Sequence, residues 1–207
     1  MKSGSPLIEL REASYTYEGS ALPVLDSLSL TINQGDYLAV VGANGSGKST
    51  LLRLLDGLKL PQSGSVLVGG LDAARPENAL AVRRAVALVF QSPVDEIVSS
   101  VVEEDVAFGP ENLGLSRPEI ARRVDASLAA VGLDSERGRP SLFLSGGQQQ
   151  RLAIAGALAM EPSCVAFDEA TSMLDPPSRL EVLDLIDRLV EGGMTVVHVT
   201  HDMAEAN

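Results

Sequence analysis

Leu38-Ala39-Val40-Val41-Gly42-Ala43-Asn44-Gly45-Ser46-Gly47-Lys48-Ser49-Thr50 runs from an apolar stretch into a glycine-rich turn. Leu38 to Val41 reads as a buried strand. From Ser49 to Leu58 the leucines at 51, 52, 54, 55 and 58 recur at helical spacing, so the turn lies between a strand and a helix. Gly42, Gly47, Lys48 and Ser49 match G-x-x-x-x-G-K-[ST], a loop that holds polyphosphate. Gly42, Gly45 and Gly47 let successive N–H groups turn inward at a helix N-terminus, with Ala43, Asn44 and Ser46 completing the cradle. The ammonium of Lys48 reaches the β- and γ-phosphates, and the hydroxyl of Ser49 is placed to ligate Mg²⁺, with Thr50 beside it in the first helical turn.

Working outward, Leu7 to Val41 alternates in short segments broken by Glu18-Gly19-Ser20 and Asn33-Gln34-Gly35-Asp36, the pattern of a hairpin-rich β region. Strand-like runs return at Ser65 to Val68, Ala85 to Phe90, Cys164 to Phe167 and Thr195 to Val199, with helical patterns between them, so the expected class is α/β. Between Gln91 and Met160 the pattern turns helical, and Ser116…Glu119 reads as a capping box for a helix to about Val131. A second box, Ser178…Glu181, is expected to open an amphipathic helix built on Leu180, Leu183, Leu185, Ile186 and Leu189 and stopped by Gly192-Gly193.

Further residues carry chemistry. Asp168 ends an apolar strand and suits a hard cation held through water. Glu169, next in the chain, is the candidate general base that polarises an attacking water. Gln91, after the strand ending at Phe90, offers an amide oxygen to Mg²⁺ or to that water. His201 follows the last strand. Leu144-Ser145-Gly146-Gly147-Gln148 opens a long helix through about Met160, a second helix end that presents N–H groups to an anion.

The glycine loop, LSGGQ and the Asp168-Glu169 pair together resemble the ATP-binding cassette (ABC) family over nearly the whole chain. The resemblance implies a P-loop NTPase (RecA-like) core with an N-terminal antiparallel β region and an inserted helical subdomain: one cassette, with core 1–91 and 161–207 and helical subdomain 92–160. It implies ATP hydrolysis with Mg²⁺ as cofactor, held by Ser49, Asp168 and Gln91. Gln91 corresponds to the family's Q-loop, His201 to its switch histidine on the γ-phosphate, and Tyr17 to an aromatic stacked on adenine. Ser145, Gly146, Gly147 and Gln148 would act on the ATP of a facing subunit in a head-to-tail dimer, a copy or a homologue, with Met173-Leu174-Asp175 as the D-loop.

The segment Ser92-Pro93-Val94-Asp95-Glu96-Ile97-Val98, followed by Val102 to Asn112, looks like an energy-coupling factor transporter ATPase. That implies a peripheral position on the cytoplasmic face of the cell membrane. The partners would be a transmembrane coupling subunit, which Glu103, Glu104 and Asp105 would meet, and a substrate-binding membrane subunit. The work done would be uptake of a micronutrient, a vitamin or a transition-metal ion. The family's fold continues beyond the stretch after His201, so the C-terminal part of the fold is expected to be truncated at Asn207.

Composition narrows the alternatives. With 28 acidic against 16 basic side chains, the net charge of −12 lacks the basic footprint of a nucleic-acid binder. No nucleic-acid partner is expected. Cys164 is the one cysteine, so no internal disulfide forms and a reducing compartment fits. No apolar run approaches the roughly 20 residues of a membrane span. Another ABC importer or exporter is the nearest alternative. A soluble clamp on DNA or ribosomes would call for a coiled-coil insertion, tandem cassettes or a basic face, and a small-molecule kinase has no need of LSGGQ.

Overall fold

Strands that are buried on both faces read as mostly apolar runs, and two of the parallel strands show this, with Asp168, Thr195, His198 and Thr200 as their buried polar members. In the computed structural model, which describes residues 6–205, all five residues of β7 (Cys164–Asp168) and all six of β8 (Thr195–Thr200) are buried. β8 pairs in parallel with β3 (Tyr37–Val41) on one side and β7 on the other, and β6 (Val86–Val89) completes the sheet in the order β3-β8-β7-β6. Each expected strand is present, shifted by one or two residues at its ends. Cys164 is fully buried, and burial pushes its thiol up to about 12, so it behaves as a small apolar side chain.

The hairpin-rich start forms a second, antiparallel sheet. Its order is β2-β1-β4-β5, from β2 (Leu25–Asn33), β1 (Pro6–Tyr15), β4 (Ser63–Val68) and β5 (Leu71–Asp72). Ile8 and Leu10 of β1 face the core; the register then slips between Leu10 and Ala13, where Glu12 takes a φ of 49°, and Ala13 is returned to the core side. Helix α1 (Lys48–Leu55) buries Leu51, Leu52, Leu54 and Leu55 in the same cluster as Ile8, Leu10, Val66, Val68, Cys164 and Val197. The short α2 (Ala79–Ala85) adds Val82 to it.

The chain divides into two compact units. One comprises residues up to Leu88, Ser163–Asp168 and those from Val190 on; the other comprises Val89–Pro162 and Glu169–Leu189. The second unit is helical, built from α3 (Val102–Asn112), α4 (Arg117–Val131), α5 (Gly146–Ala159) and most of α6 (Pro176–Glu191). α3, α4 and α5 pack against one another through Val102, Val106, Val124, Leu128, Leu152 and Ile154. Arg123, almost fully buried on α4, donates to Glu119 at 2.8 Å and to the Ala159 carbonyl at 3.2 Å, tying α4 to the end of α5.

Both expected capping boxes turn out differently. Ser116 is the N-cap of α4, but its side chain makes no cap bond, and Glu119 instead accepts from Arg122 and Arg123. Two guanidiniums outcompete one backbone N–H for this carboxylate, holding it down at about 2. The helix expected to open at Ser178 opens two residues earlier at Pro176, because proline suits the first helical turn and the Asp175 carboxylate accepts from the Ser178 N–H at 3.3 Å. Along α6 Val182, Leu185 and Ile186 are buried, while Leu180 is exposed. Among the described residues no helix is long and apolar enough to cross a membrane.

Candidate nucleotide-binding site

The loop joining β3 to α1 is shaped for an anion at its helix end. Gly47 caps α1 with φ 95°, a left-handed conformation that L side chains rarely adopt, and a Cβ there would stand 3.0 Å from the Val24 carbonyl oxygen. No side chain caps the helix, so its positive end is left to a ligand. Asn44, Gly45 and Ser46 line the exposed rim. The Ser46 N–H donates to the Ala43 carbonyl at 3.2 Å, closing the turn. Lys48 is buried, and its ammonium donates to the carbonyls of Gly42 at 2.8 Å and Ala43 at 3.1 Å. Folded back in this way, the ammonium lies over the concave side of the loop, where it adds a full charge to the helix end.

The loop helix and Asp168 meet. Ser49 Oγ donates to Asp168 Oδ1 at 2.8 Å, which brings a hydroxyl from the first turn of α1 against the carboxylate that ends β7. Two adjacent hard oxygens fit one edge of an Mg²⁺ coordination shell, the other positions falling to water and phosphate. Among the described residues no group of three or more His, Cys, Asp or Glu side chains could hold a metal alone. The donor set therefore suits a cation that arrives with a polyphosphate. Next to Ser49, Thr50 Oγ1 lies 3.0 Å from Tyr17 Oη, so the aromatic singled out upstream is joined to the loop helix.

His201 follows β8 on an exposed turn. Thr200 Oγ1 accepts from the Asp202 N–H at 3.0 Å and donates to Glu205 at 2.7 Å, so the residues on either side of His201 are bound to each other.

In the helical unit, Gln91 and the backbone of Glu169 are joined through Ser172. Gln91 Nε2 donates to Ser172 Oγ at 2.9 Å, and Ser172 Oγ donates to the Glu169 carbonyl at 2.9 Å. Glu169 itself has φ 52°, a left-handed conformation rare for a side chain that is neither Gly nor Asn. Phe90, just before Gln91, is pinned from two sides: its N–H donates to Glu96 Oε1 at 2.8 Å, and its carbonyl accepts from Gln150 Nε2 at 3.2 Å. Burial pushes the Glu96 carboxyl up to about 8, against the Phe90 N–H, with Asp105 and Asp95 nearby raising it further.

The LSGGQ helix start is closed by its own residues. Ser145 Oγ accepts from the Gln148 N–H at 3.3 Å, and Gln148 Oε1 accepts from the Ser145 N–H at 2.9 Å. Gly147 is buried, and a Cβ on it would meet Ser178 at 2.5 Å; Gly146 is exposed, with open space where its Cβ would be. Ser145, Gly146 and Gln148 are the accessible part of this motif.

Ser172, Glu96 and Gln150 escaped the sequence reading. Ser172 carries a partial signal, standing three residues after Glu169 as serines that bond back to the backbone do. The other two meet their partners only through the fold.

The family described as ABC transporter matches residues 25–172. The energy-coupling factor transporter ATP-binding protein EcfA1 of Symbiobacterium thermophilum is 52% identical over 210 residues, covering 98% of this chain and 73% of that protein. The structure of cbiO1 from Clostridium perfringens, described as part of the ABC transporter complex cbiONQ, superposes with a TM-score of 0.86 at 34% identity, over 95% of this chain and 79% of that one. A dimeric post-hydrolysis structure of the ATP-binding cassette MJ0796 with ADP and Pi gives a TM-score of 0.83 at 30% identity, over 96% and 90%. With its glycine loop, acidic strand end and LSGGQ helix inside or beside the matched segment, the chain belongs to the ABC transporter family and is one of its ATPases.

Proposed function

We propose that this chain is the ATP-hydrolysing subunit of an energy-coupling factor transporter, powering uptake of a vitamin or a transition-metal ion through separate membrane proteins. The observation that carries the reading is the Ser49 hydroxyl set 2.8 Å from the Asp168 carboxylate, below a loop whose lysine and uncapped helix end await phosphate. The helical stretch 92–160 acts as a subdomain of a single cassette. It presents Glu104, exposed, and Glu103, half-buried, at the start of α3 to basic residues of a transmembrane coupling subunit. Asp105, expected beside them, is buried and accepts from the Val98 and Ser99 N–H groups at 2.7 Å, so its carboxylate is taken up within the helical unit.

The roles are those the family resemblance implies, and the chemistry of each group suits them. Loop N–H groups and Lys48 bind the β- and γ-phosphates, and Tyr17 takes the adenine. Mg²⁺, when bound by Ser49, Asp168 and Gln91, supplies charge neutralisation across the phosphate oxygens. Glu169 accepts a proton from the water as its oxygen bonds to the γ-phosphorus and the bond from phosphorus to the ADP oxygen breaks, leaving ADP and phosphate. His201 hydrogen-bonds the γ-phosphate, so phosphate loss removes that contact. Ser145, Gly146 and Gln148 cover the ATP of a facing ATPase, a copy or a homologue, in a head-to-tail dimer. The assembly holds the chain at the cytoplasmic face of the membrane.

The test is Glu169→Gln in the assembled transporter. ATP binding is expected to persist while phosphate release falls by roughly 10² or more, the scale of a lost general base. Near-normal phosphate release would remove Glu169 from that role. Purification of the chain with ribosomes or nucleic acid and without membrane proteins would end the transport reading.

A further inference from the structure

Tyr17 is bound from two points, one at the start of α1 and one in the turn beyond its end, and the second of them has no place in the scheme above. Its hydroxyl lies 3.0 Å from Thr50 Oγ1 in the first turn of α1, and the ammonium of Lys59, beyond the last turn of α1, lies 4.6 Å from its ring centroid. The same ammonium donates to Tyr15 Oη at 2.7 Å. Tyr15 and Tyr17 meet edge to face, with centroids 5.1 Å apart and planes at 84°. The ammonium is thus fixed by the Tyr15 hydroxyl and set against the ring of Tyr17, within the range where a cation is drawn to the π-cloud.

The backbone around this group is stitched just as closely. The Lys59 N–H donates to the Arg53 carbonyl at 2.7 Å, which anchors the lysine to α1. Three residues on, Gln62 brackets the peptide groups of the tyrosine segment: its Oε1 accepts from the Thr16 N–H at 2.7 Å and its Nε2 donates to the Thr16 carbonyl at 2.9 Å. The Gln62 N–H donates to the Ser14 carbonyl at 2.9 Å. Tyr17 nevertheless remains 37% exposed, so part of its ring stays open to a flat ligand. The start of α1, through Thr50, and the turn after its end, through Lys59, therefore both fix where the aromatic stands.

We propose that Lys59 is a positioning residue for the nucleotide base: clamped by Tyr15, it holds the Tyr17 ring in register with the phosphate loop, so that purine and phosphates are met at one fixed separation. The inference rests on the reading of Tyr17 as the adenine platform. A cation against one part of the ring draws electron density from it, which favours stacking of an electron-rich purine on the exposed part. Fixing the ring before ATP arrives also removes the cost of ordering it on binding.

The experiment uses the assembled transporter and two probes, Mg-ATP and Mg-bound inorganic tripolyphosphate, which has phosphates and no base. Lys59→Met keeps an unbranched apolar stem and removes the terminal ammonium. It is expected to weaken ATP binding roughly three- to fivefold, the scale of a partly exposed cation–aromatic contact, with tripolyphosphate binding and kcat at saturating ATP unchanged. Lys59→Arg is expected to restore most of the ATP affinity. Equal weakening of both probes would mean a disturbed loop and would overturn the proposal, as would tighter ATP binding, which would make Lys59 an occupant of the base's place. Tyr17→Ala separates the two levels. If it leaves ATP and tripolyphosphate affected alike, the adenine platform itself is wrong; if it weakens ATP alone while Lys59→Met does not, only the role of Lys59 falls.

Discussion

Two helix starts in this chain look interchangeable as sequence, each a serine or lysine set among glycines ahead of a helix, and they are built in opposite ways. α1 begins at a left-handed glycine with no side-chain cap, and a lysine ammonium rests on the loop carbonyls. α5 begins with Ser145 and Gln148 satisfying each other's backbone N–H groups in a closed capping box. An open helix end leaves its donors to water or a ligand, whereas a closed one satisfies part of them itself. On the proposed reading, the first binds this chain's own ATP, and the second is a preformed surface whose Ser145 hydroxyl and exposed Gly146 meet the ATP of a facing subunit.

The largest effect should come from breaking the open end. Lys48→Ala removes the one full charge on the concave side of the loop, and loss of charge-assisted bonds to phosphate predicts a fall in this chain's ATP affinity of roughly a hundredfold. Ser145→Ala, at the closed end, should leave that affinity as it is and cost about 1 kcal/mol of stability through the lost cap. Titration of a fluorescent ATP analogue against both variants, with a melting curve for each, reads the contrast. If Ser145→Ala weakened this chain's own ATP binding as much as Lys48→Ala does, the two ends would be serving one site.

A smaller effect sharpens the reading of the second end, because its two glycines differ. A methyl on Gly147 would meet Ser178 at 2.5 Å, so Gly147→Ala should cost about 1–3 kcal/mol by forcing α5 and α6 apart. Gly146 faces open space, and Gly146→Ala should stay within about 0.5 kcal/mol of the wild type. Ser178→Gly added to Gly147→Ala should recover most of the loss. Comparable melting temperatures for the two single variants would show that Gly147 is not there for packing.

That distinction marks where sequence reading runs out. The strand, loop and helix around Gly42 to Thr50 were legible because the signal is contiguous: the apolar run, the glycines and the helical leucines are neighbours in the chain. The capping boxes at Ser116 and Ser178 followed the same local logic and gave way to groups outside the pattern, Arg122 and Arg123 in one case, Asp175 and Pro176 in the other. Tyr17 was noticed, but its hold by Lys59 was not, since the lysine reaches it only after α1 has turned the chain back. Gln91 was noticed as well, while Ser172, which binds it, stands 81 residues away. Contacts at that separation are set by topology, which no local spacing records.

The smallest effect concerns pH, where each of the two units carries a carboxyl whose pKa desolvation raises, Asp56 in one and the half-buried Glu96 in the other. Asp56, at the C-cap of α1, is pushed up to about 6 by burial, with the Leu58 N–H, Arg83 and Arg53 opposing the shift. Glu96, in the helical unit, is pushed up to about 8 by burial, with Asp105 and Asp95 adding to it. A carboxyl that holds its proton more tightly when folded stabilises the fold fully below its unfolded pKa, and that contribution is lost as pH rises through the folded value. The window for Asp56 therefore runs from 3.8 to about 6, and that for Glu96 from 4.5 to about 8. Between about pH 6 and 8 the loss belongs mainly to Glu96, so the melting temperature of the wild type should decline across that interval. Glu96→Gln keeps an oxygen for the Phe90 N–H and cannot ionise, and it should flatten the decline; Asp56→Asn should leave it in place and flatten the slope below pH 6 instead. Parallel curves for wild type and Glu96→Gln above pH 6 would mean that the carboxyl at Phe90 is already ionised in the folded protein, and that the pin ahead of Gln91 is a charged one.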